Sequence, residues 1–334
     1  MAAGTARTSN RLRTLWQRPE VRDTILDNLI WLILAIALIG FSFIPGYFTP
    51  PVLINVLLHS TFLGILVIGE TLCLLTGNFD LSVESVLAFT AMFAAVLMGT
   101  RPPTPGWGVS PLLALPAMLA VGALIGAFNG VCVTKLKINP FIVTLATLIV
   151  FRGLTIIFTM SEAVIRFPLI YKAVATLSLG PIPMLVILTI GLYALFHFVI
   201  SRTSFGRKLY AVGGDRDVSF AFGLKPDRVV ILAFALSGLT AAVAGWFLSA
   251  RLDAALPGMA EGMTFDVMAA AVIGGVSLKG GKGSLIGALG GVLLLGAINA
   301  ALTVALVSPY WYRIVRGLVI FLAVGLDTLK QRLH

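Results

Sequence analysis

Residues 77–85, GNFDLSVES, carry two carboxylates, Asp80 and Glu84, between an apolar run that ends near Thr76 and another that begins near Val83. No lysine or arginine accompanies them in that stretch. Three chemistries suit such a pair: ligands for a substrate, steps on a proton path, or acceptors for the free N–H groups of a helix start. In the third, Asp80 or Ser82 stands where an N-cap belongs, and Glu84 falls in the first turn, where the helix dipole favours negative charge. Asp266 opens a similar stretch, Phe265-Asp266-Val267 against Phe79-Asp80-Leu81. Glu70 and Arg152 lie deeper inside apolar runs, where an ionisable group is costly unless it is paired or faces a water-filled cavity. Asp266, Arg313 and Arg316 fall toward the same end of their runs, and an ion pair among them is one expectation.

Other reactive constellations fail on inspection. The segment GGVSLKGGKGSLIGALGG, residues 274–291, resembles a phosphate-binding loop, but Gly281 follows Gly280 where that pattern requires lysine. The alternative frame puts Val276 where glycine is needed and Gly283 where serine or threonine is needed. A helix–helix turn carrying Lys279 and Lys282 is the better reading, and the chain is not expected to hydrolyse ATP itself. His59 and His197 lie in separate apolar runs, and His334 is terminal. Cys73 and Cys132 also fall inside apolar runs, as packing residues do. No catalytic group, metal or cofactor is expected.

The elements that position these residues follow from composition. Of 334 residues, 58% are apolar and only 11% are charged, and the mean hydropathy is +1.01. A soluble chain carries about 25% charged residues, so this is an all-α integral membrane protein. The apolar runs are continuous, which excludes an alternating barrel. Ten runs suit membrane helices, at about 29–47, 53–76, 83–99, 111–134, 141–160, 181–201, 229–250, 265–278, 284–307 and 312–327. Residues 1–27 form a basic tail, 28–330 a single transmembrane domain, and 202–228 its one substantial connection. With the N-terminus in the cytoplasm, seventeen cations lie inside and four outside. That asymmetry puts both termini on the cytoplasmic side of the membrane. The net charge of +10 is therefore a topology signal, not a nucleic-acid surface.

Two correspondences suggest an internal repeat. LIGAFNGV (124–131) in the fourth run matches LLGAINAA (294–301) in the ninth, and the Phe-Asp openings match the third run to the eighth. An offset of five helices inverts the second half, giving a 5+5 inverted repeat. Chance similarity between apolar segments is the alternative. Glycines at four-residue spacing, Gly122, Gly126, Gly130 and Gly283, Gly287, Gly291, allow close helix packing, more readily within one chain than between chains. The third and eighth runs are among the shortest, so Asp80 and Asp266 are expected to cap helices that start below the membrane surface.

The connection SRTSFGRKLYAVGGDRDVSFAFGLKPDRV (201–229) mixes cations with Phe205, Tyr210, Phe220 and Phe222. A solvated loop does not expose so many aromatics. It either docks on a partner protein or buries them against its own helices.

Three ordered blocks resemble the permease subunits of bacterial ABC importers of the ribose, xylose and arabinose class: TGNFDLSVESVLA, TKLKINPFIVTLATLIVFRGL (134–154), and 203–229 with the downstream stretch 265–299. The resemblance implies a fold similar to the vitamin B12-type importers, and a dimer with a second permease copy or a paralogue. It also implies an ATPase subunit with two nucleotide-binding domains and a periplasmic sugar-binding protein. The coupling segment would then lie in 203–229, with Arg207, Tyr210, Asp215, Ser219, Phe220 and Gly223 as its contact and hinge residues. The chain departs from the family pattern at Asn78 and Glu84, both usually glycine, at Asp215, usually asparagine, and at Val218-Ser219, where small pairs are common.

The resulting expectation is import of a monosaccharide or polyol by alternating access, driven by ATP hydrolysed on the separate subunit. A neutral polyol calls for amide, hydroxyl and aromatic contacts, and the candidates are Asn129, Asn139, Phe141, Thr144 and Asn299. The rival is a proton-coupled secondary transporter using Asp80, Glu84 or Glu70. The sequence does not choose the sugar.

Overall fold

The computed structural model describes residues 29–99 and 106–308, with isolated helical positions 311, 314, 317, 318 and 321 beyond them. The basic tail 1–27, the last expected run (those isolated positions apart), and Arg313 and Arg316 lie outside the described residues.

Nine expected runs form helices. These are α1 (Leu29–Phe41), α2 (Pro50–Leu75), α3 (Val83–Met98), α4 (Pro111–Thr134), α5 (Pro140–Thr159), α7 (Met184–Arg202), α10 (Pro226–Leu252), α11 (Met263–Ile273) and α12 (Leu285–Val304). Among the described residues six of them, α2, α4, α5, α7, α10 and α12, are long and apolar enough to cross a membrane. Four long helices begin on proline at their first positions, Pro50, Pro111, Pro140 and Pro226, where the missing N–H costs nothing. Polar side chains take the other free donors: Asn139 Oδ1 accepts from Phe141 N at 2.9 Å, and Ser284 Oγ from Gly287 N at 3.0 Å.

α2 and α10 form the buried axis of the molecule. α2 is buried almost without interruption from Leu58 to Leu75. α10 packs most extensively on α4, then on α2 and α3. Glycines set the α4–α10 crossing. A Cβ on Gly126 would meet the carbonyl of Phe234, and a Cβ on Gly122 that of Gly238. The second ladder closes within the chain as well, because Gly287 faces the carbonyl of Gly274 and Gly291 that of Ala270, at the end of α11. Without side chains the backbones approach closely enough for dispersion forces to hold the helices in an apolar solvent.

The sequence gives no element between 160 and 181, yet the chain folds there. α6 (Leu169–Thr176) lies between β1 (Val164–Ile165) and a small hairpin of β2 (Ser178–Leu179) and β3 (Ile182–Pro183). β1 pairs antiparallel with β4 (Ala254–Ala255). The whole segment is fastened to the end of α10. Asp253 accepts from Lys172 Nζ at 2.7 Å and from Phe167 N at 2.9 Å, Tyr171 shares a hydrogen bond with Ser249, and Trp246 Nε1 donates to Tyr171 O. Desolvation pushes the Asp253 carboxyl up, but Lys172 and the Phe167 N–H outweigh it and hold it below the usual aspartate value.

The connection 202–228 is helical too, as α8 (Ser204–Gly214) and the six-residue α9 (Arg216–Ala221).

Candidate functional site

The turn 76–82, between α2 and α3, carries a cluster of buried polar side chains, Thr76, Asn78, Asp80 and Ser82. Asp80 is buried and accepts from three donors: Ser82 N at 3.0 Å, Ser82 Oγ at 2.5 Å and Ser237 Oγ at 2.9 Å. The donors form a directed chain. Thr147 Oγ1 donates to Asn129 Oδ1 (2.6 Å), Asn129 Nδ2 to Ser82 Oγ (3.0 Å), and Ser82 Oγ to Asp80. The Asp80 N–H in turn points at the Glu70 carboxylate, at 3.2 and 3.3 Å. Five parts of the fold, α5, α4, the 76–82 turn, α10 and α2, are thus stitched through buried side chains. Such a network is strong when every member is satisfied and costly when one is removed.

This differs from simple capping. Ser82 stands at the N-cap of α3 but makes no cap bond to the helix, and Asp80 turns back onto Ser82. Helix-start chemistry is local, whereas the Ser237 and Asn129 donors arrive from α10 and α4, and the tertiary partners decide the geometry. Replacing Asp80 by alanine orphans up to three buried donors, each costing about 1–3 kcal/mol. Asp80→Ala is therefore expected to lower the thermal midpoint of the purified protein by several degrees, and Asp80→Asn, which keeps an acceptor toward Ser82, by clearly less. Differential scanning fluorimetry in detergent checks the order.

Glu84 and Arg152 resolve each other. Arg152 Nη2 lies 3.2 Å from Glu84 Oε1, and Arg152 Nη1 donates to Pro257 O and Met259 O at 2.9 and 3.1 Å. The second Glu84 oxygen accepts from Thr264 N, in the first turn of α11, at 3.1 Å. Thr264 Oγ1 reaches back to Leu81 O. The starts of α3 and α11 therefore meet, and the Glu84 carboxylate sits where both helix dipoles present their positive ends. At 16 and 11 residues these helices cover about 24 and 17 Å, short of the ~30 Å hydrocarbon core. Irregular backbone at such a meeting point is tolerated where protein buries it. Asp266 is also buried in the first turn of α11.

The substrate-path candidates divide. Asn129 is buried with both amide ends bonded, and buried Thr144 bonds back to Pro140 O. Asn299 Nδ2 lies 2.9 Å from His59 Nε2. Asn139 caps α5 and stands exposed beside Phe141, whose ring meets Phe79 edge-on at 6.3 Å. Thr147, Ser237 and Thr264 were not singled out in the sequence. They are lone hydroxyls in apolar runs, and only their tertiary partners mark them.

The connection 202–228 makes a second surface. Asp215 Oδ1 caps α9 through Val218 N at 2.9 Å, and Gly223 at φ +80° ends the turn. Arg207 is exposed and Ser219 buried. The four aromatics split. Phe205 and Tyr210 pack on the chain itself, with Tyr210 Oη donating to Gly283 O at 2.9 Å, while Phe220 and Phe222 stand 70% and 83% exposed. Beside α8, Gly281 N bonds Leu75 O at 3.1 Å, and Gly213 packs on both residues. Arg216 and Lys135 converge on Asp227 at 2.6 and 2.7 Å.

A helical membrane chain with discontinuous segments meeting at a buried polar centre, and with an exposed aromatic turn on an otherwise fastened loop, has the build of a membrane transport subunit. Comparison with known proteins gives the family. The model for the permease component of branched-chain amino acid transport systems matches residues 52–324, and the chain belongs to that family. It is similar to the ribose import permease protein RbsC of Escherichia coli (strain K12), with 36% identity over 310 residues, 91% of this chain and 94% of that one. RbsC of Bacillus subtilis (strain 168) is 34% identical over 289 residues, covering 86% and 88%. The D-allose transport system permease protein AlsC of Escherichia coli (strain K12) is 34% identical over 305 residues, 90% of each chain. No solved structure matches. The resemblance drawn from the three sequence blocks holds: this is a multi-pass inner-membrane permease of the ABC importer type.

Proposed function

We propose that the chain is the transmembrane permease of an ATP-driven importer that carries a monosaccharide or polyol from periplasm to cytoplasm by alternating access. The observation that carries this is near full-length similarity to permeases named for ribose, allose and arabinose transport. Ten helices, both termini inside and a fold similar to the vitamin B12-type importers belong to the same reading. Helix pairings support its 5+5 inverted repeat. At an offset of five spans, α4 on α10 answers to α12 on α2, α3 on α10 to α11 on α2, and α3 on α4 to α11 on α12. With the termini inside, α3 starts from the inner side and α11 from the outer side. Their meeting at Glu84 and Thr264 then sets both starts within the bilayer, as in transporters with broken helices.

The ATPase subunit, with two nucleotide-binding domains, docks on α9 through Phe220 and Phe222, and closure on ATP is passed through α8 and Tyr210 to the 274–284 turn and α11. A periplasmic binding protein delivers the sugar at the opposite face, and a second permease copy or paralogue completes the pathway. Of the path residues, the exposed Phe141 ring and the Asn139 amide N–H groups can meet substrate while Asn139 Oδ1 keeps its cap, whereas Asn129, Thr144 and Asn299 must exchange partners. Proton coupling through Glu84 or Asp80 is disfavoured because Glu84 is paired with Arg152 and Asp80 already accepts three donors.

The reading is tested on the complex in liposomes, with its binding protein loaded in turn with pentoses, hexoses and polyols. At least one is expected to stimulate ATP hydrolysis and to accumulate inside. No accumulation across the panel would overturn the substrate class. Asn139→Ala and Phe141→Ala are each expected to lower uptake about tenfold, the scale of one lost polar or aromatic contact.

A further inference from the structure

Glu84 and Arg152 have no task in the transport reading so far, although among the described residues they make the most buried ion pair. Arg152 reaches three acceptors on two elements, Glu84 Oε1 on α3 and the carbonyls of Pro257 and Met259 on the 253–262 connection. Glu84 adds the Thr264 N–H on α11, whose own N-cap, Gly262, has no side chain to offer. The paired side chains keep only 7% and 17% of their surface, so salt does little to screen them, and parting them strands a charge away from water.

α5 is the element these bonds restrain. It is the least buried of the six long apolar helices and packs chiefly on α3 and α4. Its side-chain hydrogen bonds to other elements are those of Arg152 and the one from Thr147 to Asn129, among the described residues. Apart from its packing on α3 and α4 and the Thr147 bond, the Arg152 junction is the contact that ties α5 to the 253–262 connection and, through Glu84, to the start of α11.

We propose that the Glu84–Arg152 pair is a latch, a pair of positioning residues that holds α5 against the 253–262 connection and the start of α11, and that opens during each transport cycle. The proposal rests on the alternating-access reading, since a latch matters only where α5 moves relative to α3 and α11. A contact present in one state and absent in the other sets the balance between the states.

The test uses the complete complex, permease with ATPase and binding protein, in liposomes. Glu84→Gln and Glu84→Gly are expected to raise ATP hydrolysis without binding protein by at least about fivefold, and to lower the ratio of stimulated to basal rate accordingly, because the resting conformation is no longer held. If a Glu84 variant fails to assemble, Arg152→Lys, which keeps the charge but cannot reach all three acceptors, is expected to change the ratio the same way. In a Cys73→Ala, Cys132→Ala background, Glu84→Cys with Arg152→Cys bridged by a short reversible bis-methanethiosulfonate is expected to stop uptake, and reduction to restore it. A pair that only supports folding would lower the melting temperature and leave the ratio unchanged. That result, or uptake by the bridged complex, overturns the latch while the transport reading stands. A wild-type complex that cannot use ATP for uptake overturns the transport reading, and the latch with it.

Discussion

Gly126→Leu is expected to leave almost no folded permease in the membrane. The position faces the backbone carbonyl of Phe234 across the α4–α10 crossing, so even a Cβ collides with an atom that has no rotamer to change. Overpacking an ordinary core costs about 1–3 kcal/mol, and there flexible side chains absorb part of the strain. Here the helices must separate along a seam that Gly122 and Gly238 also hold closed. Against a total stability of about 5–15 kcal/mol for a typical domain, the loss is decisive. The same crossing positions Asn129 against Ser82, so any survivor would also carry a broken polar network. Size-exclusion profiles of detergent extracts check this, with Gly153→Leu as the control. Nothing lies within 4 Å of a Cβ at Gly153, and its profile is expected to match wild type.

Phe220→Asp together with Phe222→Asp is expected to leave the permease folded and to cut uptake by about 100-fold or more. Both rings stand in solvent on a turn that is otherwise well fastened, through the Asp215 cap, the Arg216–Asp227 ion pair and the Tyr210 bond to Gly283. Exposed aromatics on a rigid mount are the usual anchors of protein interfaces, worth at least about 2 kcal/mol each when truncated. Carboxylates in their place add the cost of burying unpaired charge. The permease should melt as wild type does and fail to retain the ATPase subunit on an affinity column. A double variant that kept the ATPase bound would put the docking surface elsewhere.

The helices were legible because an apolar run of about twenty residues has few other fates, and proline at the first turn fits the start of four of them. Even the unusual pair stood out, since α3 and α11 come from two of the shorter runs and share a Phe-Asp opening. The segment 160–183 escaped because its elements are two to eight residues long and of mixed composition, and it takes its shape from contacts to Asp253, Ser249 and Trp246 on a distant helix. Within the site, the acid in the turn was legible and its partners were not. Glu84 and Arg152 stand 68 positions apart, and Asp80 and Ser237 157 apart, so no periodicity links them. Asp80 read as a cap because capping is the local solution. Ser237 and Asn129 arrive only once α10 and α4 have packed. The loop aromatics divided for a similar reason: composition tells that four rings must be covered by something, but not which of them the chain covers itself.

The central claim, that ATP and not an ion gradient drives import through this chain, is tested most directly by uptake in two sets of liposomes. One set holds the permease with its ATPase subunit and binding protein, the other the permease alone. The account predicts that the first set accumulates sugar with ATP on the nucleotide-binding side, unaffected by a protonophore, and that the second accumulates none under an imposed pH gradient. Accumulation by the permease alone on a pH gradient would contradict it, and would return Asp80, Glu70 and Glu84 to the proton path that their positions first suggested.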